Sequence, residues 1–75
     1  MENWQKYIVI NPEIRSGKPC LLGTRISVND VLSYLASGMT IIEITQDFPE
    51  LNKEKILATL SFAAHRDSIT KIAVA

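Results

Sequence analysis

Apolar residues change their spacing about a third of the way along this chain. Before Ser27 they come in short unbroken runs; after it they recur with the three-and-four spacing of helices. The run Tyr7-Ile8-Val9-Ile10 is aromatic and β-branched, and has the length of a buried strand. Asn11-Pro12 breaks it, because proline disfavours helix in the residue before it. Arg15-Ser16-Gly17-Lys18-Pro19 is turn chemistry, and Cys20-Leu21-Leu22 is a second apolar stretch leading into Gly23-Thr24-Arg25-Ile26. The pattern predicts a small β-hairpin or arm. A lone two-stranded unit is marginal in water, so it must lie on helices.

Ser27 is a good helix N-cap, with Asp30 at the capping-box position. Val28, Val31, Leu32 and Leu35 then form one apolar stripe, and Gly38 supplies a left-handed stop. Thr40 and Glu43 make a second capping box. Ile41, Ile44 and Phe48 give that short helix an inner face, and Pro49 ends it. Asn52 caps a third helix with Glu54 in its first turn, where the helix dipole favours an anion. Its expected inner stripe is Ile56, Leu57, Leu60, Ala63 and Ala64, ending about His65–Asp67. The remaining residues, 68–75, fit an extension of the helix, a strand or a flexible tail. The fold class is therefore mainly α, a three-helix unit (27–67) behind an extended arm (1–26). The second and third helices have helix-turn-helix spacing, and a strand pair beside them gives a winged or ribbon-bearing variant.

At 75 residues there is room for one domain and one core. So short a domain buries only about 60% of its unfolded surface and is marginal alone. Cys20 is the only cysteine, so no internal disulfide forms. Cys20 and His65 are the only soft ligands, too few for structural zinc. Association is the compensation left, and a homodimer or a hetero-complex is expected. Met1–Lys6 is polar and lacks a signal-peptide core, and no apolar stretch nears the ~18–20 residues of a membrane span. A cytoplasmic protein without membrane contact is expected.

Eight basic and eight acidic residues give zero formal charge. Nucleic-acid binders usually carry a basic excess, so DNA binding requires a local patch. Arg15, Lys18, Arg25, Lys55 and Arg66 are the candidates. Enzyme readings fail on inventory. A Cys20/His65 hydrolase is a remote option, since Cys20 lies in an apolar run and nothing in the sequence places the pair together. Asp30, Glu43, Asp47 and Glu54 read as caps and solvated charges. Gly17-Lys18 lacks the rest of a phosphate loop. No catalytic residue, metal, cofactor or small-molecule substrate is expected.

On a helical wheel the third helix leaves Lys55, Ala58, Thr59, Phe62 and Arg66 on a face of their own. Phe62 either packs on the N-terminal arm or anchors a partner or dimer interface, where aromatics and arginine are enriched. Thr59 and Arg66 belong to that interface in the second reading. Trp4 is either a lid on the core or a further interface anchor.

Asn11-Pro12-Glu13-Ile14, Gly17-Lys18-Pro19-Cys20, Gly23-Thr24-Arg25-Ile26-Ser27-Val28, Gly38-Met39-Thr40, Ile42-Glu43-Ile44, Phe48-Pro49, Leu51 and Ala63-Ala64 together resemble one family. It is the bacterial and archaeal domain-of-unknown-function family four-three-three, and the likeness spans about residues 7–67. The resemblance implies a homeodomain-like or winged-helix-like three-helix domain, similar to small VapB-type antitoxins that accompany a PIN-like ribonuclease toxin. It implies a toxin protein as partner, and operator DNA as a second one. It supplies no catalytic residues. In the matching motif, Gly17 and Gly23 are expected at positive φ or close approach, and Pro12 and Pro19 at turns. Thr24 is expected to bond a nearby backbone group, and Arg25 to tie the arm to a helix end or carboxylate, or else to meet DNA or a partner. The chain departs from a complete antitoxin in its tail, which is shorter than the toxin-wrapping segment many antitoxins carry. The leading expectation is a non-catalytic antitoxin; the alternative is a stand-alone helix-turn-helix regulator.

Overall fold

The structure, a computed structural model, describes the backbone of residues 4–74 and the side chains as far as residue 66. A single-turn 3-10 helix (Trp4–Lys6) leads into strand β1 (Ile8–Val9), which pairs antiparallel with β2 (Cys20–Leu21) in the register Ile8 to Leu21 and Val9 to Cys20. Helices α1 (Val28–Ala36), α2 (Ile41–Asp47) and α3 (Lys53–Val74) follow. The fold is mainly helical, with the expected helix-turn-helix unit and a small N-terminal hairpin.

The hairpin is shorter than its apolar runs. Tyr7 closes the preceding turn instead, its N–H donating to the Trp4 carbonyl at 3.0 Å, and Ile10 leaves the pairing just ahead of Asn11-Pro12. One further ladder bond joins Leu22 N–H to Tyr7 C=O at 2.7 Å. The helices begin at the expected caps. The Ser27–Asp30 and Thr40–Glu43 capping boxes both close reciprocally. Gly38 ends α1 at φ 102°, a conformation that costs a side-chain-bearing residue energy. The Tyr34 ring stacks on Phe48 at 4.8 Å and 8°, joining α1 to the end of α2.

The third helix departs most from the sequence reading. Its backbone stays helical through Val74, beyond the expected end at His65–Asp67, so residues 68–74 extend it. Its orientation about its own axis also differs. Ile56 is fully buried as expected, but Leu60 is 41% exposed and Ala64 is exposed, while Leu57 and Ala63 are half-buried. Ala58 and Thr59, assigned to an outer face, have no exposure at all, and Phe62 is buried. Between Ile56 and Ala64 the helix is apolar or small on every side. No single stripe stands out, and the neighbours decide which side is core. The arm packs on α3 as well as α1 and α2 do, and Phe62 faces the arm through the Trp4 ring, while Ile56 is enclosed in the same core. The buried Thr59 hydroxyl is satisfied by donating to the Lys55 carbonyl at 3.0 Å.

If Phe62 is core and Leu60 surface, Phe62→Ala costs roughly 3–5 kcal/mol. Leu60→Ala then costs less than about 1 kcal/mol. Urea unfolding of the two variants decides it; equal losses would restore the sequence-derived stripe.

Candidate interaction surface

One carboxylate joins the arm to the helices. Asp30 Oδ2 accepts the Ser27 backbone N–H at 3.0 Å, as the capping box requires, and also the Arg15 guanidinium at 2.8 Å. The same Arg15 nitrogen donates to the Arg25 carbonyl at 3.1 Å. Arg15 reaches this position from a turn in which three successive residues have positive φ: Arg15 (51°), Ser16 (60°) and Gly17 (83°). Two of the three are not glycine, so the turn carries strain that its surroundings must hold. Gly17 N–H to Ile14 C=O (3.1 Å) and Lys18 N–H to Arg15 C=O (3.2 Å) close it.

Arg15, expected at a nucleic acid, is thus the tie that the sequence reading assigned to Arg25. The Arg25 side chain is exposed, and its part in the junction is its backbone carbonyl. A partner fifteen residues away leaves no periodic signal, so sequence alone does not reveal the pair. Thr24 acts as expected, donating to the Leu21 carbonyl at 2.9 Å and accepting the Ile26 N–H at 3.0 Å. Gly23, at φ 77°, turns the chain between Leu22 and Thr24. Pro19 offers its carbonyl to the Val28 N–H at 2.9 Å, and Pro49 follows the last turn of α2.

The remaining basic candidates do not form one patch. The Lys55 ammonium is spent on the Glu50 carbonyl at 2.8 Å, in the first turn of α3. Arg66 lies about 16 Å further along that helix, at 1.5 Å per residue. Its guanidinium rests 5.0 Å from the Phe62 ring centre. Lys18 and Arg66 meet across a shallow cleft of about 60 Å³ floored by the first turn of α1, room for a water or two. Trp4 is half-buried, its ring edge-on to Phe62 at 4.8 Å and tilted to His65 at 5.8 Å. Of the interface candidates, Phe62 and Thr59 lie inside, Trp4 is the lid over Phe62, and only Arg66 is at the surface. Cys20 is buried in β2, whereas His65 is exposed beside Trp4. Among the described residues no three His, Cys, Asp or Glu side chains are grouped to hold a metal ion. No helix there is long and apolar enough to cross a membrane.

What the surface does present is exposed apolar side chains on both helices of the helix-turn-helix. Lys53, Leu57, Leu60 and Ala64 follow one another along the outward face of α3, and Ile42 is 68% exposed on α2. The sequence reading had set Leu57, Leu60 and Ala64 inside; for Ile42 the signal was available, since it falls off the Ile41–Ile44–Phe48 stripe.

Arm, junction and helix-turn-helix form one continuous sequence unit, and the model of the family described as protein of unknown function (DUF433) matches it over residues 8–63. The chain belongs to the DUF433 family. The match takes in Arg15, Asp30 and the apolar face as far as Leu60, and leaves out Trp4 and Arg66. A crystal structure of a DUF433 member from Anabaena variabilis has the same fold, with a TM-score of 0.78 over 93% of this chain and 69% of that one, at 23% identity. The uncharacterized protein y4eO of Sinorhizobium fredii (strain NGR234) is 33% identical over 52 residues, 69% of this chain and 24% of the relative. The chain therefore spans about a quarter of that relative's length.

The Asp30 junction predicts an acid response. The Ser27 backbone N–H, and then the Arg15 guanidinium, hold the Asp30 carboxyl below its ordinary range. Its charge therefore contributes stability that is present above about pH 4, the ordinary carboxylate value, and lost as pH falls through the depressed folded value. Urea midpoints of the wild type and Asp30→Asn should differ most near neutrality and converge as the solution is acidified. A constant gap would show that the charge is not coupled to folding.

Proposed function

We propose that this DUF433 chain is a non-catalytic, antitoxin-like module that binds and neutralises a PIN-like ribonuclease in the cytoplasm, and that it works as a homodimer. The observation that carries the protein-binding part is the outward face of α3. In a DNA-reading helix-turn-helix, this helix offers polar side chains near its N-terminus to base edges. Here the corresponding face offers Lys53 and then Leu57, Leu60 and Ala64. Apolar side chains at helical spacing suit a protein surface, and desolvating them gives a favourable hydrophobic contribution to binding. The bases a DNA reading needs are dispersed, with Arg15 paired to Asp30 and Lys55 held by the Glu50 carbonyl. The nuclease as partner follows from the family resemblance, and so does the dimer's place in a toxin–antitoxin pair.

The test is co-expression with a PIN-like ribonuclease. An equimolar complex and restored growth are expected, and Leu60→Glu should abolish both while the variant stays folded. No complex and continued growth arrest would refute the reading. A discrete shift of upstream DNA by the purified protein, lost steeply with added salt, would put the regulator in its place.

A further inference from the structure

The two edges of the small sheet differ. The outer side of β2 is taken up by the chain that leads into α1: Leu21 N–H donates to the Ile26 carbonyl at 2.9 Å, Val28 N–H donates to the Pro19 carbonyl at 2.9 Å, and Cys20 bridges Ser27. On the outer side of β1 no such partner lies among the described residues. The register says which groups face that way. Leu22 N–H donates to the Tyr7 carbonyl, and hydrogen-bonded pairs alternate along an antiparallel ladder, so Val9 turns its main-chain groups to Cys20. The N–H and C=O of Ile8, and of Ile10 as the run continues, therefore point away from β2.

This edge is complementary to itself. A two-fold axis through Val9 pairs Ile8 with Ile10 of a second copy and Ile10 with its Ile8, so that each pair exchanges both main-chain bonds. By the period of two, Ile8 and Ile10 share a face. Ile8 is in the core and Ile10 is 63% exposed, so the pairing sets each open isoleucine beside the end of the other copy's core. Tyr7 to Ile10 carries no charge, so no like charges meet along the strand. Lys6 precedes the run and Glu13 follows it, both exposed, and antiparallel pairing brings the basic end of one copy to the acidic end of the other. A nucleic acid has no main chain to continue the ladder. Pro12 has no N–H to donate and confines the contact to this short run.

We infer that two copies of this chain associate edge to edge through β1, antiparallel about Val9, to make one continuous sheet across the dimer. The inference rests on the homodimer in the reading above and adds which surface forms it. The contact is small, so the dimer depends on concentration. Capture of a ribonuclease is read separately, and either reading can fail alone.

Sedimentation equilibrium of the full chain over a wide concentration range tests it, with thermal melting as the folding control. The wild type should dimerise, and Ile10→Lys, at an exposed position, should raise the dissociation constant by about tenfold or more. Cys20→Ala/Val9→Cys then reads the register. Cys20 is removed because it lies opposite Val9 in the same hairpin and would capture the new thiol. Across the two-fold, the Val9 positions form a non-hydrogen-bonded pair with Cβ atoms about 4.5–5.5 Å apart. Mild oxidation should therefore link this variant into a covalent dimer, and should not link Cys20→Ala/Asn29→Cys, which places the thiol at an exposed site on α1. A wild type that stays monomeric, a dimer indifferent to Ile10→Lys, or a folded Val9→Cys variant that does not cross-link overturns the inference. Should the cysteine variants fail to fold, the effect of Ile10→Lys decides.

Discussion

The Trp4 indole meets the Phe62 ring edge-on at 4.8 Å, and with Ile8 and Leu21 beside it in the core it closes a flank of α3 that would otherwise be open to water. That contact fixes the rotation of the third helix, and much else follows from the rotation. With Phe62 turned towards the arm, Ile56, Ala58 and Thr59 are enclosed, and Leu60 is left outside. An aromatic pair of this geometry adds about 0.5–1.5 kcal/mol beyond its buried area. More of the stabilisation comes from the apolar surface that the arm removes from water, which is why two strands of two residues each persist here although an isolated hairpin would not.

The arm must also be held in register, and Asp30 does this with a charge. One carboxylate oxygen closes the N-terminus of α1 and takes the guanidinium of a residue on the far side of the hairpin. The pair is about one-third exposed, so its worth lies less in Coulomb energy than in fixing where a strained turn sits. Arg15 and Ser16 adopt left-handed backbone without being glycine. The conformation persists because the guanidinium is bound to both Asp30 and the Arg25 carbonyl.

These two constraints separate the functional possibilities. By engaging Arg15 at the junction and Lys55 at the Glu50 carbonyl, the fold withdraws two of five bases that a nucleic-acid reading would use. By rotating α3, it places Leu57 and Leu60 where a recognition helix would carry polar groups. Glu43, Asp47, Glu50 and Glu54 are exposed along α2, the following turn and the start of α3, and Lys53 and Arg66 are exposed on α3 itself. A helix-turn-helix fold does not by itself assign DNA as ligand.

The sequence by itself determined where the helices begin and where the first two end: the capping boxes at Ser27 and Thr40, the stop at Gly38, the turns at Gly17 and Gly23, the stripes of α1 and α2, and the family. These are local signals, set by residues within one helical turn of each other. The tertiary structure alone decided the rotation of α3 and the destination of Arg15. Nine residues from Ile56 to Ala64 are apolar or small on all sides, so the hydrophobic effect, which has no direction of its own, favours no face until neighbours cover two of them. The Arg15–Asp30 bond joins residues fifteen apart in the chain, and only the folded arm brings them within 2.8 Å.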